Sequence, residues 1–295
     1  MALFEKYGYL PDEAHVSRRL QEILSNSGKS SPEILKKCFS FMDLTTLHPE
    51  DTADSVRRLV DKVNLLEKEY PDYPIPASVC VFPNFASVVR DARNSPDLHV
   101  TTVAGCFPAS QSFLEVKVKE AEMAVADGAD EVDMVLALNS FLAGDYDSAY
   151  REIAVIKQAT DRVAASLGRT VILKVILETG ILRTVANIAN ASFLAMEAGA
   201  DFIKTSTGKV SVNATPEAAL VMCECIKAFY AETGRAVGFK AAGGISDAGE
   251  AFSYYSTGAS VLGDEWMNKG RFRFGVSRLG NSLMSAIEGK TVSYF

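Results

Sequence analysis

The residues best suited to chemistry are lysines placed inside short apolar runs. Lys204 stands in "GADFIKTSTGKV", Gly199 to Val210, wedged among threonines and a serine. Lysine is almost never fully buried unless it is paired or used. Lys174 sits in "VILKVI", Lys240 in "VGFKAAGG", and Asp133 in "GADEVDMV". Spacing ties the four together. Asp133 and Lys204 each stand five residues after a glycine, Gly128 and Gly199; Lys174 and Lys240 each stand six after one, Gly168 and Gly234. A lone lysine at a strand end is ordinarily a solvated residue. Four charged residues at repeat-equivalent positions predict four neighbouring strand ends that share one mouth.

Lysines crowded into one desolvated pocket have a chemical use. An unperturbed lysine, pKa about 10.4, is neutral in only about one molecule in 2,500 at pH 7. A nearby ammonium and burial both disfavour the charged form. A neutral amine attacks a carbonyl and forms a Schiff base. The protonated imine then serves as an electron sink for making or breaking a carbon–carbon bond. Each step moves protons, so a group such as Asp133 is expected beside the amine. Lys174 is read as balancing either Glu178 or Asp133. This chemistry needs no metal or cofactor. His15, His48 and His99 are scattered, and Cys38, Cys80, Cys106, Cys223 and Cys225 form no CxxC pair.

The elements that would position these residues follow a rhythm. "VADGADEVDMVLA", "MEAGADFIKTS" and "YSTGASVLGDE" each read as a helix end, a glycine, a small residue and a β-rich run; "SLGRTVILKVI" and "ETGRAVGFKAA" form a second matched pair. Helical patterns such as "FLEVKVKEAEMAVA" and "PEAALVMCECIKAFYAET" lie between them. Eight strands are predicted near residues 38–43, 76–82, 99–104, 130–137, 170–176, 201–205, 235–240 and 259–263. Strands alternating with helices indicate a parallel sheet. Eight units predict a closed (β/α)8 TIM barrel, an architecture of about 250 residues with its active site at the strand C-termini. An open doubly wound sheet competes, but no GxGxxG follows the first strand. The expected organisation is a helical extension over 1–37 capping the barrel, the barrel over 38–288, and a mobile tail over 289–295.

A phosphate site is expected beside the lysines. Gly243 and Gly244 follow the seventh strand, "STGK" supplies Gly208 and Lys209 after the sixth, and "RFRFGVSRLGNSLMSAI" follows the loop after the eighth strand and reads as a glycine entering a helix. Barrels bind phosphate between the last two loops on backbone N–H groups and a helix N-terminus. Net charge is −7 with a pI near 5.2, which argues against nucleic acid or anionic membrane as the main partner. Any anion must be captured by a local site. The N-terminus carries charges too early for a signal peptide, and no run has transmembrane length. An odd cysteine count without framework spacing suits a reducing compartment. A cytoplasmic protein is expected.

With these residues assembled, the sequence resembles the deoxyribose-phosphate aldolase family from about Cys38 to about Ser285. The resemblance rests on "FMDLTTL", "GADEVDMV", "LKVILETG", "AGADFIKTSTGKVSVNATPEA", "VGFKAAGGI" and "RFRFGVS". It implies a metal-independent class I aldolase that cleaves 2-deoxyribose 5-phosphate to glyceraldehyde 3-phosphate and acetaldehyde. It implies Lys204 as the Schiff-base lysine, Lys240 as the neighbour that lowers its pKa, and Asp133 as the proton relay. Asp43, Cys80 and Thr207 match substrate-pocket positions, and Lys174 is grouped with them. Gly208, Lys209, Gly243, Gly244, Gly275 and Ser277 match the phosphate site. The chain departs from the family pattern at four places. Ala241 stands where proline is usual, "LALNSF" replaces a Pro-Tyr-Arg-like segment, Arg278 stands for a serine, and "TVSYF" ends in phenylalanine where a terminal tyrosine is usual. Weakened turnover with imine formation retained is therefore expected. Two other readings stay open: a barrel whose preferred aldehyde has drifted, and a scaffold acting through a protein partner. A homodimer is a further possibility.

Overall fold

The computed structural model describes residues 3–295. Eight parallel strands run in sequence order around a closed barrel. They are β1 (Met42–Thr45), β2 (Ser78–Val81), β3 (His99–Ala104), β4 (Glu131–Val135), β5 (Ile172–Ile176), β6 (Phe202–Lys204), β7 (Gly238–Ala242) and β8 (Phe272–Val276). β8 closes on β1 with Met42 opposite Phe274 and Asp43 opposite Gly275. Long helices follow the strands and form the outer ring: Ala53–Glu69, Ala86–Ala92, Leu114–Ala126, Tyr146–Ser166, Val185–Glu197, Pro216–Thr233, Ala248–Leu262 and Leu279–Glu288.

Local sequence accounts for these elements. Thr52 and Ser55 form a reciprocal capping box at the start of Ala53–Glu69, and Val56, Val60, Val63 and Leu66 bury one stripe of that helix. Thr215 caps Pro216–Thr233, proline sits in its first turn, and Gly234 ends it with φ +69°. In β8 the alternation is plain. Phe272 and Phe274 pack outward in the aromatic core, while Arg273 points into the barrel and ion-pairs there. Low in the barrel the Phe202 ring fills the space a side chain at Gly238 would occupy. The Arg273 guanidinium lies 5.7 Å from the centre of that ring.

Three expectations need correction. Residues 259–263 are not a strand; they end the helix Ala248–Leu262. Asp247 and Glu250 box its start, and its buried face runs Ala251, Tyr254, Tyr255, Gly258, Val261 and Leu262. Gly258 is no helix cap. A Cβ there would come within 2.4 Å of Phe272, so glycine lets this helix lie close on β8. The true eighth strand is "FRFGV", a stretch expected to lie past the loop after the eighth strand, at the entry to a helix. The first strand also starts later than expected, because residues 38–40 complete the Ser31-capped helix Pro32–Ser40. That helix runs across the boundary expected at residue 37. The N-terminal helices do not cap the barrel end: Leu3–Lys6 packs on Val185–Glu197, and Glu13–Asn26 packs on Pro216–Thr233 and Ala248–Leu262.

Candidate active site

The barrel interior holds a buried ion cluster. Asp133 on β4 is its centre. Its Oδ2 accepts from Lys204 Nζ and from Lys240 Nζ, each at 2.8 Å, and its Oδ1 accepts from Lys174 Nζ at 2.9 Å. Lys240 also pairs closely with Asp43. Lys174 pairs closely with Glu131 and lies 3.6 Å from Asp43. Arg273 closes the lower side, 2.5 Å from Asp43 and 2.7 Å from Glu131. His99 Nδ1 sits 2.6 Å from Glu131 at the opposite end of the barrel. Strand register explains the neighbours: Asp133 lies opposite Lys174, and Lys204 opposite Lys240. Side chains at successive inward positions then meet at the axis.

The cluster contains three carboxylates and four bases, all essentially buried. One base is left over, and its identity is readable. Lys174 is fully buried, which opposes its charge, yet Asp133, Glu131 and Asp43 outweigh burial and hold it above the usual lysine range. Burial of Lys240 is likewise outweighed, by Asp133 and Asp43. Lys204 goes the other way. Burial pulls its amine below the usual range; Asp133 opposes this, and the Lys240 ammonium adds to the downward push. Asp133 cannot rescue it because one carboxylate charge is divided among three amines. With Lys204 neutral, three positive charges face three negative ones. Asp133 itself is held well below the usual carboxylate range: its own burial is overcome by Lys174, Lys204 and Lys240.

Lys204 is also the member of the cluster that reaches a cavity of about 240 Å³ at the C-terminal mouth. The other walls come from Thr45 at the end of β1 and His48 after it, Thr207, Gly208 and Lys209 after β6, Ala242 to Ile245 from the last residue of β7 onward, and Gly275 to Arg278 from the end of β8 onward. Gly243 and Gly244 have φ of +86° and +85°, a left-handed conformation that favours glycine, and Gly243 N donates to Gly275 O at 3.4 Å. Gly275 gives Lys240 its room, since a Cβ there would come within 2.9 Å of Lys240 Cε. The loop after β6 is pinned from below: buried Glu178 accepts from Thr207 N at 3.2 Å and Thr207 Oγ1 at 2.6 Å. Lys209 Nζ donates to Leu47 O at 2.7 Å and ties that loop to β1.

All six residues expected at the phosphate site line this cavity, as do Lys204 and Thr207. Asp43, Cys80 and Lys174 do not; they are fully buried beneath it. Asp43 and Lys174 are held there by ion pairs, and Cys80 by Leu47, Val103, Phe82 and Phe107. Lys174 balances Asp133, not Glu178. Glu131 and Arg273 were not among the residues expected at the site, and Glu178 was expected only as a partner of Lys174. Glu131 precedes Asp133 by two and Arg273 precedes Gly275 by two, so strand alternation carries the signal that would have found them. The tail is docked rather than mobile. Asn281 accepts from Tyr294 N and Phe295 N and donates to Phe295 O. Tyr294 Oη donates to Lys62 O at 2.7 Å, outside the barrel. Among the described residues no group of three or more His, Cys, Asp or Glu side chains is placed to hold a metal ion. Among the described residues no helix is long and apolar enough to cross a membrane.

A closed (β/α)8 barrel with a cationic cavity at its C-terminal mouth is the architecture of an enzyme. Residues 38–275 match the model of the DeoC/LacD family aldolases, and the chain belongs to that family. It is 42% identical over 263 residues to a Caenorhabditis elegans protein provisionally named a deoxyribose-phosphate aldolase, covering 86% of this chain and 81% of that one. Among solved structures it resembles a tetrameric deoxyribose phosphate aldolase from Aeropyrum pernix. The identity is 26% and the TM-score 0.67, over 94% of this chain and 98% of the other. An aldolase designated QR15 matches at 29% identity and TM-score 0.66, over 85% and 95%. The protein is thus an aldolase-like carbon–carbon lyase.

Proposed function

We propose that the chain cleaves 2-deoxyribose 5-phosphate to glyceraldehyde 3-phosphate and acetaldehyde through a Schiff base on Lys204. The observation that carries this reading is the coincidence of two properties in one side chain. Lys204 alone among the cluster lysines has its proton affinity lowered, and it alone lines the cavity. Its neutral amine attacks C1 of the open-chain sugar, and loss of water leaves a protonated imine. A proton then leaves the C3 hydroxyl, the C2–C3 bond breaks, and its electron pair flows into the imine to give an enamine. Glyceraldehyde 3-phosphate departs. Protonation at C2 and hydrolysis release acetaldehyde and restore the amine. Asp133 touches both Lys204 and Lys240 and is assigned the proton transfers. The phosphate is assigned to the cradle formed by Gly208, Lys209, Gly243, Gly244, Gly275 and Ser277.

The Tyr294 hydroxyl is bonded to Lys62, so turnover is expected to be slow beside imine formation. The Aeropyrum relative is described as tetrameric, and self-association, a homodimer being one form, is part of the proposal. A cytoplasmic setting fits five free cysteines. The test is glyceraldehyde 3-phosphate release from 2-deoxyribose 5-phosphate by wild type and Lys204→Ala. The proposal expects measurable release that the substitution abolishes. Equal rates for the two proteins, or no release from wild type at any pH, would overturn it.

A further inference from the structure

The proposed reaction needs a proton at C2 of the enamine, which projects from Lys204 into the cavity, while the buried charge cluster lies beneath. We propose that His48 is a further catalytic residue: its imidazolium protonates C2 of the enamine held on Lys204. The inference rests on the reaction proposed above and moves one of its proton transfers from Asp133 to the cavity wall.

Three observations support it. First, His48 and Lys204 line the same cavity of about 240 Å³, so a two-carbon enamine on Lys204 shares a small space with the imidazole. Asp133 is fully buried beneath Lys204 and does not line that cavity. Its own burial is overcome by Lys174, Lys204 and Lys240, which hold it well below the usual carboxylate range; so weak a base seldom carries a proton. Second, the other groups on the wall are unsuited. Thr45 Oγ1 donates to Asp43 O at 2.8 Å, Thr207 Oγ1 to Glu178 at 2.6 Å, and Lys209 Nζ to Leu47 O at 2.7 Å. Ser277 and Arg278 offer a hydroxyl and a guanidinium, neither of which gives up a proton near neutral pH, whereas an imidazole changes charge between about pH 5 and 8. The Tyr294 hydroxyl is bonded to Lys62 O outside the barrel. Third, the backbone around His48 is fixed and its side chain is free. His48 N donates to Asp51 Oδ2 at 2.9 Å, Asp51 also accepts from Thr46 Oγ1 at 2.8 Å, and the neighbouring Leu47 is buried. His48 is exposed and, among the described residues, forms no hydrogen bond or ion pair through its ring.

In the enamine the nitrogen lone pair pushes the C1–C2 π pair onto C2, where it forms a C–H bond with the His48 proton. The nitrogen returns to a protonated imine, and the imidazole is left neutral. His48 also borders an outer cleft lined by Arg58 and Lys62, where the neutral ring takes a proton back from water. The charged groups lining these two spaces are Lys204, Lys209 and Arg278 in the cavity and Arg58 and Lys62 in the cleft, with Asp51 bonded to the backbone of its own loop. Run backward, the same contact removes a proton from C2 of an acetaldehyde imine.

The experiment incubates acetaldehyde with wild type, His48→Gln and His48→Ala in deuterated water and follows deuterium entering the methyl group by NMR. Borohydride trapping on Lys204 is measured alongside. Wild type should exchange the methyl protons. Both variants should trap acetaldehyde to the wild-type extent but exchange at least about 100-fold more slowly, the lower end of what a positioned acid–base group contributes. Added imidazole should restore part of the exchange in His48→Ala. Exchange at the wild-type rate in both variants, loss of trapping together with exchange, or slow exchange that imidazole does not rescue would overturn the role of His48 and leave the Lys204 imine standing in wild type. Wild type that traps no acetaldehyde would overturn the reaction reading and this one with it.

Discussion

Lys204 and Lys240 lie opposite one another on adjacent strands, yet their surroundings shift their proton affinities in opposite directions. Lys240 touches two carboxylates, Asp43 and Asp133. Lys204 touches only Asp133, which it shares with two other ammonium groups. One residue is thereby kept charged and the other is pushed toward the neutral amine. Replacing Lys240 by leucine removes a positive neighbour and frees Asp133 Oδ2 for Lys204. Both changes favour the Lys204 ammonium, so its pKa rises and a larger fraction is protonated near pH 7. The pH profile of kcat/KM should move alkaline by about one unit or more, each unit being worth about 1.4 kcal/mol. A profile that stays put would show that Lys240 does not tune Lys204.

At the scale of the elements, glycine spacing placed β4, β5, β6 and β7, because there a helix stops at glycine and the strand follows at a fixed interval. The same pattern misled at Gly258, where the glycine serves close packing inside a helix. Gly258→Ala should destabilise the fold by about 1–3 kcal/mol, the usual cost of overpacking, with the pH profile of activity unchanged. Denaturant unfolding checks it, and an unaltered midpoint would contradict the close approach to Phe272. The cavity residues were legible because they sit in short motifs directly after strands. The buried floor was not. Alternation marks Glu131 and Arg273 as facing inward, but no local spacing announces that they meet across the barrel at 2.7 Å, being 142 residues apart in sequence. Asp43 and Lys174 were assigned to the pocket because a motif gives position along a strand; depth below the cavity depends on which charges close over it. The tail escaped for a similar reason. Its anchors are scattered side-chain bonds: the Asn281 amide accepts from and donates to the backbone of residues 294 and 295, Ser285 Oγ accepts from Val292 N, and Tyr294 Oη donates to Lys62 O.

For the molecule as a whole, net charge and local charge have opposite signs. A chain of net charge −7 carries a mouth lined by Lys204, Lys209 and Arg278, and beneath that mouth the barrel balances its buried charges three against three once Lys204 is neutral. This balance is the central claim, and trapping tests it most directly. The intact protein is incubated with acetaldehyde and sodium borohydride, then weighed and digested. The account predicts one reduced two-carbon adduct per chain, located on Lys204 and absent from Lys204→Ala. An adduct on Lys174 or Lys240, or on Lys204→Ala at the wild-type level, would contradict it.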